Sequence, residues 1–308
     1  MRTILTGGTG LVGRALAASL SGDGHEVIVL TRSPGSATSL PPGVRAVGWD
    51  ARTSEGWSEL ADGAACIVNL AGANLAGAGV LPSRWTAARR AAIRDSRVNA
   101  GRAVDEAVPR AAVKPAVVVQ ASGVGYYGNR GDEPVNEDTG PGDDFLARMA
   151  VDDWEPSTQA VEDMGVRRIV IRSGAVLDAR EGALPRLVLP FRFFVGGRLG
   201  SGRQYLSWIH LADQVGAIRF LVDHPDGLGP FNLVAPEQVT YADVAHILGR
   251  VLKRPSLIPV PGFALRLAFG EVASVVLEGQ RASSVKLLDL GYRFRFPALE
   301  PALHDVLR

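Results

Sequence analysis

The chain predicts an α/β fold: a doubly wound parallel sheet of the Rossmann type with a smaller C-terminal α/β substrate lobe. Three observations predict it. A short apolar strand opens the sequence and runs straight into a glycine-rich turn and a helical pattern. Strand-like and helix-like segments then alternate through the first half. That rhythm breaks after about Val176. Alternation of this kind implies parallel strands joined by right-handed crossovers.

The first strand is read at residues 3–6 and is followed by Gly7-Gly8-Thr9-Gly10-Leu11-Val12-Gly13. Glycine accepts positive φ and has no Cβ to hold off an approaching backbone. A helix over 11–21 then directs its free N–H groups and positive dipole end at whatever lies over the turn. With a second strand at 26–30 behind it, this Gly-x-x-Gly-x-x-Gly stands in the setting that binds a dinucleotide pyrophosphate. Further strands are expected at 44–48, 66–70, 116–120 and 168–172. They are apolar and β-branched without alternation, as strands covered on both faces should be. Helices are expected at 83–108 and 145–164.

Beyond Val176, residues 184–190 and 196–202 read as irregular or short elements. A strand at 206–209, a helix at 212–222, a short strand at 231–234 and a helix at 241–251 follow, with one or two more helices after Pro255. The expected division is a dinucleotide-binding domain over 1–176, whose sheet recruits later strands such as 231–234, and a substrate lobe over 177–308. The ligand belongs between them, at the carboxyl ends of the strands.

With 308 residues the chain is long enough to bury a large core. Its 33 Lys and Arg against 32 Asp and Glu leave a net charge of +1. That balance gives no electrostatic case for nucleic acid or an anionic membrane as partner. No apolar run reaches the roughly 18–20 residues of a membrane span, and the N-terminus reads as a strand rather than a secretory leader. The single cysteine, Cys66, excludes internal disulfides and a cysteine-based zinc site, and no metal is expected. A cytoplasmic protein acting on a small molecule is the expectation.

The end of the second strand selects the dinucleotide. A carboxylate there favours a free ribose 2′-hydroxyl, and an arginine favours a 2′-phosphate. The sequence has Thr31-Arg32-Ser33. A guanidinium pairs with phosphate bidentately, so NADP(H) is expected ahead of NAD(H). Asp50, after the third strand, is placed either to accept from the adenine amino group or to cap the next segment. Asn69-Leu70-Ala71-Gly72 closes the fourth strand with small residues that let the backbone approach the cofactor.

These motifs resemble the extended short-chain dehydrogenase/reductases. Ser122-Gly-Val-Gly-Tyr-Tyr-Gly128, Gly200-Ser-Gly-Arg-Gln204, Trp208-Ile-His210 and Leu277-Glu-Gly-Gln-Arg281 are more closely similar to the atypical "epimerase family protein" subgroup. The subgroup carries a characteristic C-terminal segment of unknown function, here from about residue 255. The resemblance covers essentially the whole chain. It implies cofactor contacts at Gly7, Gly10, Leu11, Gly13, Thr31, Arg32, Leu70, Ala71, Arg97 and Val176.

The family's usual chemistry is missing. Its Tyr-x-x-x-Lys handles the substrate oxygen because a nearby ammonium lowers the phenol toward working pH. The three lysines here, Lys114, Lys253 and Lys286, have Arg110, Gly249 and Ala282 four residues before them. Phe145 and Met149 occupy the expected Tyr and Lys places. Gly123 falls where a catalytic hydroxyl is expected, with Ser122 one place early. Leu206 stands where nucleotide-sugar enzymes of the family often place an arginine, which argues against such a ligand. Ser122, Tyr126 and Tyr127 remain as candidates to orient or protonate a substrate oxygen. Two readings stay open: an oxidoreductase or epimerase-like enzyme with another acid, and a non-catalytic NADP(H)-binding sensor or scaffold.

Overall fold

The computed structural model describes residues 1–36, 40–77, 79 and 81–308. Its first half comprises β1 (Arg2–Thr6), α1 (Leu11–Gly22), β2 (Glu26–Thr31), β3 (Val44–Gly48), β4 (Cys66–Asn69), α2 (Ala87–Ala107), β5 (Val117–Gly123), β6 (Pro134–Val135), α3 (Phe145–Met149), β7 (Arg167–Ser173) and β8 (Ala175–Leu177). There follow α4 (Leu184–Arg192), β9 (Tyr205–Leu206), β10 (Trp208–His210), α5 (Leu211–Asp223), β11 (Gly229–Leu233), β12 (Val239–Thr240) and α6 (Tyr241–Leu252). The last elements are α7 (Gly262–Phe269), α8 (Ser274–Leu277), β13 (Arg281–Ala282), α9 (Val285–Asp289) and α10 (Leu299–Val306).

Seven strands form one sheet in the order β11-β7-β5-β4-β1-β2-β3, and every pairing is parallel. The strands are apolar on both faces because both faces are covered. On one face α1 and α5 bury Leu16, Leu20, Ile218 and Leu221 against Leu5, Val29 and Phe231. On the other, α2 buries Ala100, Ala103, Val104 and Ala107 against Ile4, Ile28 and Val118. Alanines on α2 let this helix approach the sheet closely. Chain order reverses between β1 and β4, which places the switch point, and its ligand crevice, at Thr6 and Asn69. A separate core around Trp208, Tyr241, Leu248 and Leu303 holds α4, α6 and α10 together.

The helix expected over 145–164 is broken. Five residues of α3 pass into a π-helical turn at Ala150–Trp154 and then a 3₁₀ segment at Glu155–Met164. Pro156 is the physical reason: it has no N–H to continue the ladder, and its ring crowds the preceding turn. Residues 184–192 are helical rather than irregular, with Pro185 in the first turn, where a missing N–H costs nothing. The strand expected at 206–209 divides at Ser207 into β9 and β10. Four helices rather than one or two follow Pro255.

The C-terminal tail is tied to α5 by a buried carboxylate. Asp213, 1 % exposed, accepts from the Arg295 and Phe296 N–H groups at 2.7 and 2.9 Å and from the Tyr292 hydroxyl at 3.1 Å. His210 caps α5 through Nδ1, which accepts from the Ala212 N–H at 3.0 Å, and its ring lies against Phe296. Both residues are structural. Replacing Asp213 by Ala strands the Arg295 and Phe296 N–H donors, the second of them buried, so it should cost about 2–3 kcal/mol. Urea unfolding followed by circular dichroism checks this, and an unchanged midpoint would dissociate the tail's docking from Asp213.

Candidate functional site

The glycine elbow is closed on the loop after β4. Gly7 has φ +64°, and a Cβ there would lie 2.6 Å from the Leu70 carbonyl carbon and 2.8 Å from the Ala71 nitrogen. A Cβ on Gly13 would stand 2.4 Å from the Gly7 oxygen, so α1 starts flush against the turn. Gly10 caps α1 without a side-chain bond, and the first turn holds no acidic residue. The unpaired N–H groups of that turn are therefore open to an anion. Thr9 contributes its carbonyl, which Arg14 grips at 2.5 Å, while Arg14 also pairs with Glu181.

A buried polar relay holds the elbow's partner loop. The Thr6 hydroxyl donates to Asn69 Oδ1 at 2.5 Å and accepts from the Ala71 N–H at 3.2 Å. Asn69 Nδ2 donates to Gln120 Oε1 at 2.9 Å. Three strand ends are thus locked together beneath Leu70 and Ala71.

Arg32, beyond the end of β2, is exposed and forms no ion pair among the described residues. Thr31 beside it accepts from the Ser33 N–H at 3.3 Å. Asp50 caps its own turn, accepting from the N–H groups of Arg52 and Thr53 at 2.8 and 2.9 Å. Leu11, Val12 and Val176 are half-buried. Val176 sits in β8, where its carbonyl and the Leu11 side chain both face Gly182.

Arg97 lies beneath Gly72: a Cβ on that glycine would be 3.1 Å from its Cζ. It donates to the carbonyls of Ile93 and Ala73 at 2.8 and 3.1 Å, stacks 4.8 Å from the Trp154 ring, and is 8 % exposed. Its Nε has no partner and no carboxylate pairs with it among the described residues. Burial, reinforced by the nearby Arg89 charge, pushes its guanidinium down to about 10. A buried cation without a counter-ion, an elbow without Cβ atoms and a helix N-terminus without acids fit a dinucleotide.

At the end of β5 the candidate oxygen-handling residues meet a second network. The Ser122 hydroxyl donates to Glu155 Oε1 at 2.7 Å. Arg172 grips the same carboxylate with Nε and Nη2 at 2.9 and 3.0 Å. Burial opposes the Arg172 charge, but Glu155 outweighs it and holds the guanidinium firmly protonated. Arg172 Nη1 also donates to the Tyr127 hydroxyl at 3.1 Å, and that hydroxyl donates to Asn232 Oδ1 at 2.8 Å. Tyr127 is 0 % exposed, and burial pushes its phenol up to about 12. Tyr126 is half-buried, with the Arg172 guanidinium 3.4 Å above its ring.

Glu155 and Arg172 are the residues that sequence reasoning missed. Arg172 ends an apolar strand, and Pro156 interrupts the helical pattern beside Glu155. Those two irregularities were the available signals.

At Phe145 and Met149, the places expected for a Tyr-Lys pair, the side chains are packed in hydrocarbon. Phe145 meets Trp85 edge-on at 5.4 Å, and Met149 is buried with Trp85, Ile93 and Val272. The C-terminal segment is clamped over this cluster: Arg90 pairs with Glu271, and Arg84 donates to the carbonyls of Leu267 and Ala268. Among the described residues no group of three or more His, Cys, Asp or Glu is arranged to hold a metal, and no helix is long and apolar enough to cross a membrane.

Fold and glycine elbow together define an extended short-chain dehydrogenase/reductase. Residues 3–151 match the NAD dependent epimerase/dehydratase family, and residues 260–306 match a domain of unknown function (DUF1731). The chain is 36 % identical to the epimerase family protein YfhF of Bacillus subtilis over 308 residues, covering 100 % of this chain and 98 % of that one. It is 36 % identical over 310 residues to an Arabidopsis thaliana epimerase family protein named as chloroplastic, covering 100 % of this chain and 87 % of that one. The crystal structure of human epimerase family protein SDR39U1 with NADPH superposes with a TM-score of 0.87 at 32 % identity, covering 99 % of each chain. The chain belongs to this family of epimerase family proteins.

The raised Tyr127 phenol carries a pH consequence. The folded protein holds that proton above the ordinary tyrosine value near 10, so stability is intact below about pH 10. It falls as pH rises toward 12. Denaturant titrations across that range should show the decline in the native protein and a weaker one in Tyr127→Phe. Equal declines would uncouple Tyr127 from alkaline unfolding.

Proposed function

We propose that the chain binds NADP(H) along the Gly7–Gly13 elbow and is an oxidoreductase acting on a small, weakly polar carbonyl or alcohol. The observation that carries the cofactor reading is the elbow closed on Leu70 and Ala71, with the unpaired Arg32 at the end of the neighbouring strand. That human SDR39U1 was crystallised with NADPH supports it.

Bound nicotinamide would supply the hydride. The chain's own residues then supply position and a proton. Gly7, Gly10 and the first turn of α1, with Leu11, Val12 and Gly13, receive the pyrophosphate. Thr31 and Arg32 take the 2′-phosphate, and Arg97 under Gly72 answers a further anionic or ribose oxygen. Leu70, Ala71 and Val176 pack against the cofactor. Ser122 keeps acceptor capacity beyond its bond to Glu155 and orients the hydroxyl of an alcohol substrate. Tyr126 is the tyrosine assigned to protonate the oxygen of a carbonyl substrate, a choice supported by the Tyr127 hydroxyl being spent on Arg172 and Asn232. Phe145, Leu146 and Trp85 make the neighbouring wall apolar, which favours an uncharged substrate. A cytoplasmic location belongs to the same reading, in keeping with a single cysteine and hence no internal disulfide.

The filled Tyr-Lys position favours a second reading, an NADP(H)-binding sensor or scaffold without turnover. Loss of nicotinamide absorbance on a panel of aldehydes, ketones and quinones separates the two. If turnover appears, Tyr126→Phe should lower it about 100-fold with cofactor binding intact; an unchanged rate would exclude Tyr126 as the acid.

Calorimetry on ligand-stripped protein tests the cofactor. Arg32→Ala should weaken NADPH by about 1.5–3 kcal/mol, the range of a charged hydrogen bond, and leave NADH nearly unchanged. Equal losses for both would refute the 2′-phosphate contact.

A further inference from the structure

The net charge of +1 conceals an uneven distribution. Between Glu181 and Asp213, and again between Asp243 and Glu271, the sequence has no acidic residue. The fold brings these two acid-free segments side by side. Gly196 bridges Ser256, Leu199 bridges Val260, and the Ile258 and Val260 N–H groups donate to the carbonyls of Gly196 and Arg198 at 3.1 and 2.9 Å. The Arg254 guanidinium lies 4.4 Å from the Phe194 ring.

The margin so formed is both apolar and cationic. Phe193, Leu257, Phe263 and Leu267 are 69, 82, 76 and 75 % exposed. Phe263 and Leu267 are one helical turn apart on α7, a helix that buries none of its residues. Arg192, Arg198, Arg203, Lys253 and Arg254 border them, and none pairs with a carboxylate among the described residues. Exposed apolar surface of this kind, rimmed by charge of one sign, marks an interaction site.

We propose that this margin docks on an anionic phospholipid surface. The apolar side chains are left almost wholly to solvent, as those entering the headgroup and acyl boundary are in the absence of lipid. Five cations without a carboxylate partner among the described residues match a negative lipid surface. A protein interface would instead need flat packing, a core depleted of charge, and acceptors as well as donors. Long Arg and Lys stems let the charged heads reach headgroups while the stems lie on apolar surface.

The test is flotation of the full chain with phosphatidylcholine vesicles, with and without about 30 mol % phosphatidylglycerol, a content that makes the surface strongly negative. Binding is expected to the anionic vesicles alone, at least about tenfold weaker at high salt as charge screening requires. Phe263→Ser with Leu267→Ser, and separately Arg198→Glu with Arg254→Glu, should each abolish it. NADPH affinity and thermal midpoint, measured on the same variants, should stay at the native values and so certify folding. No flotation with either vesicle overturns the proposal, as does equal binding to neutral vesicles. A dimer seen by light scattering and broken by the Phe263 and Leu267 changes would assign the face to a second copy instead, and likewise overturns it.

Discussion

The contact between the Gly7 turn and the Leu70–Ala71 backbone is the constraint on which the site depends. Two chain segments pass where any side chain at Gly7 would stand within 3 Å of main-chain atoms. That approach brings the ends of β1 and β4 together at the switch point and leaves a groove lined by backbone N–H groups. It persists because Thr6, Asn69 and Gln120 hydrogen-bond to one another beneath it and are all buried. Buried polar groups that satisfy one another hold a single arrangement, because any slip would leave a donor or acceptor unpaired in a low dielectric. The anion-binding end of α1 is consequently pre-formed.

Hydrocarbon and charge are segregated around the loops after β4 and β5. Phe145 and Met149 pack into the aromatic cluster around Trp85. Charge lies in the Arg172–Glu155 pair and, beneath the loop after β4, in Arg97. Glu155 fully compensates Arg172, whereas Arg97 has only carbonyl oxygens. A buried cation satisfied by dipoles alone gains most from an arriving anion. The junction of the π-helical turn with the 3₁₀ segment, set by Pro156, links these two places, since it carries Trp154 to Arg97 and Glu155 to Arg172 and Ser122.

The C-terminal segment has a similar double role. Asp213 fastens the tail at 292–296 to α5, while Arg84 and Arg90 fasten α7 and Glu271 to the entrance of α2. The segment thereby roofs the apolar cluster with one side and leaves Phe263 and Leu267 on the other. The C-terminal segment thus covers the apolar cluster and presents a surface at once.

The strand-turn-helix at the N-terminus, the successive strand-helix units of the alternation and the arginine beyond β2 were legible because each is written within about 30 consecutive residues. Local backbone freedom, periodicity and a strand-end charge need no distant partner to be read. Glu155 with Arg172, Arg97 beneath Gly72, the buried state of Tyr127 and the cationic margin were not legible in the same way. Each depends on which segments the crossovers bring together, and on desolvation, which no single residue carries. The sequence by itself determined the Rossmann architecture and the glycine elbow, since sterics and hydrophobic periodicity act over short spans. Only the tertiary structure decided which tyrosine is spent on packing, which arginine lacks a counter-ion and where the positive charge collects, because pairing and burial are properties of neighbours remote in the chain.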